Sequence, residues 1–288
     1  MLRYRIAQPA LSLSRWCRRV IPASAGFRTL IFHDVSEVDR GAFENLIQYL
    51  DERKAIISPK QAAQWLSGIV PKGIDPIGMP PPCLISFDDG FVGNYELAMD
   101  VLSQRGIQAL YFICPGLVDL PSSAQFGAIC DNVITNPSTQ MLDAARCRLM
   151  DWQQIRDLSS AGHTIGAHGM THLSLAGLTG DALRHEVTAS GDNIEDRISK
   201  PVEWYAFAFG DIDNISPSAL EVIKQRYAYC RAGVRGLNSI STHPHTIHGD
   251  PVDLSAPVAY QHLTIDGTLD PLYARRRLHL RSMLPNDG

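Results

Sequence analysis

Short apolar runs that alternate with helix-patterned segments constrain this chain more than any other feature. The runs "FRTLIFHDV", "CLISF", "QALYFIC", "HTIGAH", "EWYAFAF" and "YCRAGV" are β-leaning and too short for helices. Between them, "DRGAFENLIQYLDER" carries Phe43, Leu46, Ile47 and Leu50 at helical spacing. "SPKQAAQWLSG" opens on Ser-Pro and closes on glycine, and "YELAMDVLSQRG" stops at Gly106. Helices are also expected at "DWQQIRDLSSAG", "GDALRHEVTASGDNIEDRI" and "SPSALEVIKQRY". Strand and helix in alternation argue for an α/β fold with parallel strands. "PKGIDPIGMPPP" reads as an irregular linker, and residues 115–150, with weak periodicity, as an insertion or lid.

Composition narrows the function classes. With 288 residues, 45% of them hydrophobic, the chain can bury one large core as a single domain. A net charge of −4 gives no global basic field to attract nucleic acid. Six cysteines without a CxxC pair argue against a cysteine-based zinc site. No apolar run approaches the ~18 residues of a membrane span. Residues 1–26 carry five arginines and no acid, with apolar stretches too interrupted for a secretory signal. They read as a basic extension that docks on the domain or on an anionic membrane surface. The main domain is expected over residues 27–288, with a cytoplasmic location and peripheral membrane contact at most.

In folds of this class, ligand sites gather at the carboxyl ends of the strands. Asp88 and Asp89 stand at one such end, in "SFDDG", and His168 at another, in "GAHGMTH". Two adjacent carboxylates at the end of a buried strand cost energy unless a cation relieves them. His168 and His172 are four residues apart, which on a helical turn puts both imidazoles on one side. Two His and one carboxylate suit zinc or a similar divalent ion with positions open to water. The second carboxylate can then take a proton from the attacking water as general base. Alone, "DDG" is an ordinary turn and HxxxH an ordinary surface pattern; together at strand ends they point to hydrolysis.

"SFDDG" followed by "GHTIGAHGMTH" resembles the polysaccharide deacetylase family, the NodB-homology or carbohydrate esterase family 4 enzymes. The resemblance extends over roughly residues 27–240. It implies a distorted (β/α) barrel, a divalent metal, most often Zn2+, and removal of an N-acyl or O-acyl group from a sugar. By position, Asp88 would be the base, and Asp89, His168 and His172 the metal ligands. His163 reads as a structural strand histidine.

Two family motifs depart from pattern. The arginine that orients the base is replaced by Ala206 in "YAFAFGD", where Ala208 and Phe209 stand for Pro and Tyr. Arg231 or Arg235 could substitute for it, and Phe209 can still offer its backbone N–H to an oxyanion. The L-x-x-H motif expected near the C-terminus has no good match there: His243, His245 and His248 lie in a Pro/Gly-rich loop, and His262 lacks the preceding residues. It occurs instead in "LIFHD", which resembles the circularly permuted poly-N-acetylglucosamine deacetylases. His33 is therefore expected to be the general acid, with Asp34 as its partner. Arg275 to Arg277 could grip an anionic sugar or form a solvated face. Trp152 and Trp204 are expected in packing rather than on a sugar ring.

These readings favour a metal-dependent carbohydrate deacetylase, releasing acetyl or formyl from an amino sugar of a polysaccharide, glycolipid or glycoconjugate. A non-sugar amide hydrolase of the same fold and a non-catalytic carbohydrate-binding module are the alternatives.

Overall fold

The structure is a computed structural model that describes residue 4 and residues 7–18, 24–77, 80–134 and 147–284. Eight parallel strands form one sheet: β1 (Arg28–Phe32), β2 (Ile56–Ile57), β3 (Cys83–Phe87), β4 (Leu110–Ile113), β5 (Thr164–Ala167), β6 (Trp204–Ala206), β7 (Tyr229–Arg231) and β8 (Asp250–Pro251). Their order is β7-β6-β5-β4-β3-β1-β8, with β2 also against β3. The curved sheet is brought round on itself by the segment leading into β8. Ile247 bridges to Arg231 of β7, while Asp250 and Pro251 pair with Leu30 and Ile31 of β1. The result is a distorted (β/α) barrel in a single domain, as the alternation of runs and the resemblance imply.

The helices follow from capping and apolar spacing. Helix α1 (Ala7–Arg18) lies outside the sheet; its Ala7 and Leu11 pack against Leu263. Helix α2 (Glu37–Asp51) buries Phe43, Leu46, Ile47 and Leu50, the residues its sequence spaces along one face. Full burial of each such side chain contributes about 1.5–3 kcal/mol. Helix α3 (Pro59–Leu66) starts at a capping box of Ser58 and Gln61. Helix α4 (Val92–Leu97) runs on through a π turn, Ala98–Leu102, and ends at left-handed Gly106, the expected stop. The expected insertion holds α5 (Pro115–Val118) and α6 (Ser122–Asn132), while residues 135–146 of it fall outside the described residues. Helices α7 (Trp152–Ser160), α8 (Gly180–Arg184), α9 (Ser190–Ile198) and α10 (Pro217–Arg226) alternate with the later strands. Helices α11 (Val258–Ile265) and α12 (Ala274–Ser282) close the chain.

Strand periodicity sorts the core into two. Leu30, Phe32, Ile85, Phe87, Tyr111 and Ile113 pack outward with the helices. Leu84, Leu110, Phe112, Trp204 and Ala206 pack inside the barrel, with Phe27 and Trp65 of α3 at its floor. Side chains alternate faces along a strand. The inward set of β1 therefore continues from Ile31 to His33, and that of β3 from Ser86 to Asp88. On β7, with Cys230 outward, Arg231 turns inward. The same count puts His168 inward after Gly166 on β5; a Cβ on Gly166 would meet the Phe112 ring at 2.7 Å. Parity, together with their places at the carboxyl ends of β1, β3, β5 and β7, brings His33, Asp88, His168 and Arg231 to one end of the barrel.

No helix among the described residues is long and apolar enough to cross a membrane.

Candidate active site

A cavity of about 890 Å³ opens at the carboxyl ends of the strands. His33, Asp88, Asp89, His168, His172, Phe209 and Arg231 all line it. Every residue nominated from sequence for catalysis, metal binding or the oxyanion thus converges on one pocket.

Asp89, His168 and His172 form its buried end. Asp89 Oδ1 lies 3.4 Å from His168 Nε2 and 3.3 Å from His172 Nε2. The three ligand atoms fall within 4.8 Å of one another. The other nitrogen of each ring is already committed: His168 Nδ1 lies 2.7 Å from the Ala206 carbonyl and His172 Nδ1 2.8 Å from that of Asn132. A carbonyl only accepts, so both Nδ1 atoms carry the protons and both Nε2 atoms are left with lone pairs. Asp89 Oδ1, fully buried, has no hydrogen-bond partner. Three acceptors thus face one another with no donor between them, an arrangement that a cation satisfies. The donor set, two imidazoles and a carboxylate, fits zinc and its neighbours.

The electrostatics agree. Burial alone would push the Asp89 carboxyl up, but His168, His33 and His172 outweigh it and hold it well below the usual carboxylate range. Burial would lower His168, yet Asp88 and Asp89 raise it overall. His172 is lowered by burial and by the neighbouring His168.

The route by which His168 and His172 meet differs from the expected helical turn. β5 ends at Ala167, and the two histidines stand in an irregular loop. Gly169 (φ 83°) and His172 (φ 65°) are both left-handed and fold the loop back, so that the rings lie 4.9 Å apart. Asp89 (φ 72°) and Phe209 (φ 63°) share that conformation. It costs a non-glycine residue about 1–2 kcal/mol, a strain typical of functional sites.

Asp88 is held by Arg231. Arg231 Nη2 donates to both carboxylate oxygens at 2.6 Å, and both residues are buried. Of the two substitutes offered for the arginine missing at Ala206, Arg231 is the one that reaches Asp88. Arg235 donates instead to the Pro251 carbonyl at 2.6 Å. Asp88 Oδ2 lies 3.8 Å from His168 Nε2, beside the candidate metal position but farther from it than Asp89.

His33 follows the last residue of β1, whose Phe32 is in register with Phe87, so it stands across from Asp88 at the pocket wall, solvent-open rather than in the core. Asp34 also lines the pocket, but no hydrogen bond joins it to His33, and the expected partnership is absent. Desolvation and the charges of Asp89, Asp39 and Glu96 push Asp34 up to about 6. Phe209 lies in a turn after β6, which ends at Ala206, short of the longer strand expected for "EWYAFAF". Its ring packs edge-on against His172 at 4.7 Å, and its backbone N–H donates to no described residue.

The other nominated residues lie elsewhere. His163 accepts from the Ala109 N–H at Nδ1, 3.1 Å away, and burial pushes it down to about 4: a structural histidine, as read. His262 stacks on Tyr49 at 4.3 Å, away from the pocket. His245 and His248 contact the carbonyls of Tyr227 and Leu237. Arg276 pairs with Asp211, and Arg277 donates to the carbonyls of Arg235 and Asp270, so these two grip the protein itself, while Arg275 is exposed. Trp204 is buried against Tyr229, and Trp152 donates to Asp119.

The family model for polysaccharide deacetylase matches residues 79–228. No curated protein matches the chain. Among solved structures, IcaB from Ammonifex degensii is similar with a TM-score of 0.61 at 17% identity, over 85% of this chain and 98% of that one. The Streptococcus pyogenes deacetylase PplD, solved with acetate, gives 0.64 at 14% identity, over 84% and 99%. The BpsB deacetylase domain from Bordetella bronchiseptica gives 0.60 at 17%, over 81% and 98%. At these identities the likeness is one of fold. The family match spans both halves of the site, from Asp88 and Asp89 to His168 and His172, and the chain belongs to the polysaccharide deacetylase family.

Proposed function

We propose that the chain is a metal-dependent hydrolase that removes an N-acyl group, acetyl or formyl, from an amino sugar of a polysaccharide or glycoconjugate. The observation that carries this reading is the trio of buried acceptors, Asp89, His168 and His172, beside a carboxylate clamped by a buried arginine. Asp89, His168 and His172 would hold the cation, with Zn2+ the first choice. When bound, such a cation polarises the acyl carbonyl and acidifies water.

The chain's own residues supply the rest. Asp88, oriented by Arg231, accepts the proton of the attacking water. The Phe209 N–H donates to the oxygen that becomes negative as the carbonyl carbon turns tetrahedral. His33, on the pocket wall across from Asp88, donates a proton to the departing nitrogen, without which an amine is a poor leaving group. General base and general acid each contribute about 10²–10⁴ in rate. Residues 27–288 form the catalytic domain and residues 1–26 a basic extension suited to an anionic surface, in a cytoplasmic protein.

The carbohydrate-binding alternative rested on loss of the orienting arginine at Ala206; with Arg231 on Asp88 that reason falls away. Acetate release from N-acetylglucosamine oligomers, measured beside simple N-acetyl amides, tests the reading. Release from the sugars well above that from the amides supports it. Release from the amides alone would replace it with a non-sugar amidase.

A further inference from the structure

The loop Gly169–His172 ends in a candidate ligand, and two of its four residues are left-handed. Left to itself it would relax, so something must hold it. Glu186 does so from below. It is 2% exposed and sits in a π turn, His185–Ala189, between α8 and α9; such turns recur at functional sites. Its Oε2 accepts from the N–H groups of Met170 at 3.0 Å and Thr171 at 3.1 Å, and its Oε1 from Thr171 Oγ1 at 2.6 Å. The approach is close enough that a Cβ on Gly169 would lie 2.9 Å from Oε2. From the other side Asn132, the last residue of α6, donates Nδ2 to the Thr171 carbonyl at 2.8 Å while its own carbonyl takes the His172 ring proton.

We propose that Glu186 is a positioning residue that sets the cation affinity of the site by holding His172 in its left-handed, inward pose. The proposal rests on reading Asp89, His168 and His172 as the cation ligands. An ionised carboxylate only accepts, and here it meets three donors. A glutamine can keep its carbonyl on the two N–H groups and offer its NH2 to Thr171 Oγ1, which as a hydroxyl also accepts, but it exchanges charge-assisted bonds for neutral ones of about half the strength. The loop is then held less firmly in the left-handed region, and His172 Nε2 spends less time at the point where it meets His168 and Asp89. Asn132 anchors the ring to α6, so it orients the imidazole but does not hold the backbone at Met170. Sequence patterns gave no sign of Glu186, which reads as one more acid on a helix.

The test measures Co2+ affinity of the purified full-length chain by chelator competition, with thermal melting of the metal-stripped protein alongside. Loss of a residue that orients a ligand weakens metal affinity about 10–100-fold, and that is the result expected for Glu186→Gln. Thr171→Val, which removes only the hydroxyl contact, should weaken affinity less than Glu186→Gln. A folded Glu186→Gln protein with the parent's Co2+ affinity, even one that melts lower, would make Glu186 merely structural and overturn the proposal. Should Glu186→Gln not fold, Gly169→Ala carries the test by pushing a methyl against Oε2; parental affinity there is equally fatal. A parent that binds no Co2+ would instead remove the cation site itself, and the proposal with it.

Discussion

Replacing Arg231 by Met removes the guanidinium that clamps Asp88 while keeping much of the side chain's volume. Arg231 is 1% exposed, its guanidinium lies 5.0 Å from the centre of the Phe112 ring, and its Nη2 reaches both Asp88 oxygens at 2.6 Å. Methionine can keep the contact with Phe112 but leaves the carboxylate free to rotate. A hydrogen bond to a charged group contributes about 1.5–3 kcal/mol, and each ~1.36 kcal/mol of barrier is tenfold in rate. A contact felt fully in the transition state therefore predicts a fall in kcat of about 10–150-fold. The same change strands a buried carboxylate, which costs about 3–5 kcal/mol of stability, so turnover must be measured well below the variant's melting midpoint. The assay is acetate release from N-acetylglucosamine oligomers at saturating Zn2+, with metal content measured on the same sample. Arg231→Lys keeps the charge without the planar fork and should fall between parent and Met variant. A Met variant that stays folded, retains metal and turns over at the parental rate would refute the view that Arg231 replaces the arginine absent at Ala206.

Three further outcomes are expected. Asp88→Asn preserves shape and removes the proton acceptor, so kcat should drop by about 10²–10⁴ with metal content unchanged; loss of metal with normal turnover on resupply would mean the two aspartates have each other's roles. His33→Ala should keep metal and KM yet lose most turnover on amides, and lose less on esters with good leaving groups, which need little protonation; equal losses on both would count against a general acid. His163 bears on stability rather than catalysis. Burial pushes it from its usual 6.5 down to about 4, so its contribution is complete above pH 6.5 and is lost as pH falls from there toward 4, a swing on the order of 3 kcal/mol. His163→Phe should be less stable at pH 7.5, through the lost acceptor for Ala109, yet show a shallower decline over that window in urea unfolding. His248, also pushed down to about 4 by burial, leaves some acid sensitivity in place. A His163→Phe protein as acid-sensitive as the parent would be the contrary result.

How much of this could be read from sequence depended on whether a residue's direction follows from local pattern. Asp88, Asp89 and His168 follow directly from apolar runs that end in polar residues, because strand ends are local and parallel barrels put them together. His33 was legible for the same reason, once the barrel makes β1 the neighbour of β3. His172 reaches the pocket by a route other than the helical turn its spacing suggests: a four-residue spacing looks the same on a helical turn as in a loop with two left-handed residues. Gly169 immediately after His168 was the available signal against a helix. Arg231 could be narrowed only to a pair with Arg235, since its inward aim depends on β7 parity and on how Ile247 and β8 close the barrel. Glu186 and Asn132 were illegible, because most of their contacts run to or through backbone groups of another element, and no local side-chain pattern encodes them.

The account's central claim is that catalysis needs one cation held by Asp89, His168 and His172. The most direct measurement strips the protein with chelator and titrates Zn2+ back while following acetate release from N-acetylglucosamine oligomers. The account predicts no turnover in the stripped protein and a linear rise that levels off at one equivalent. His172→Ala should bind no metal at that stoichiometry and stay inactive throughout. Full turnover in the stripped protein, or one equivalent of tightly held metal in His172→Ala, would contradict it.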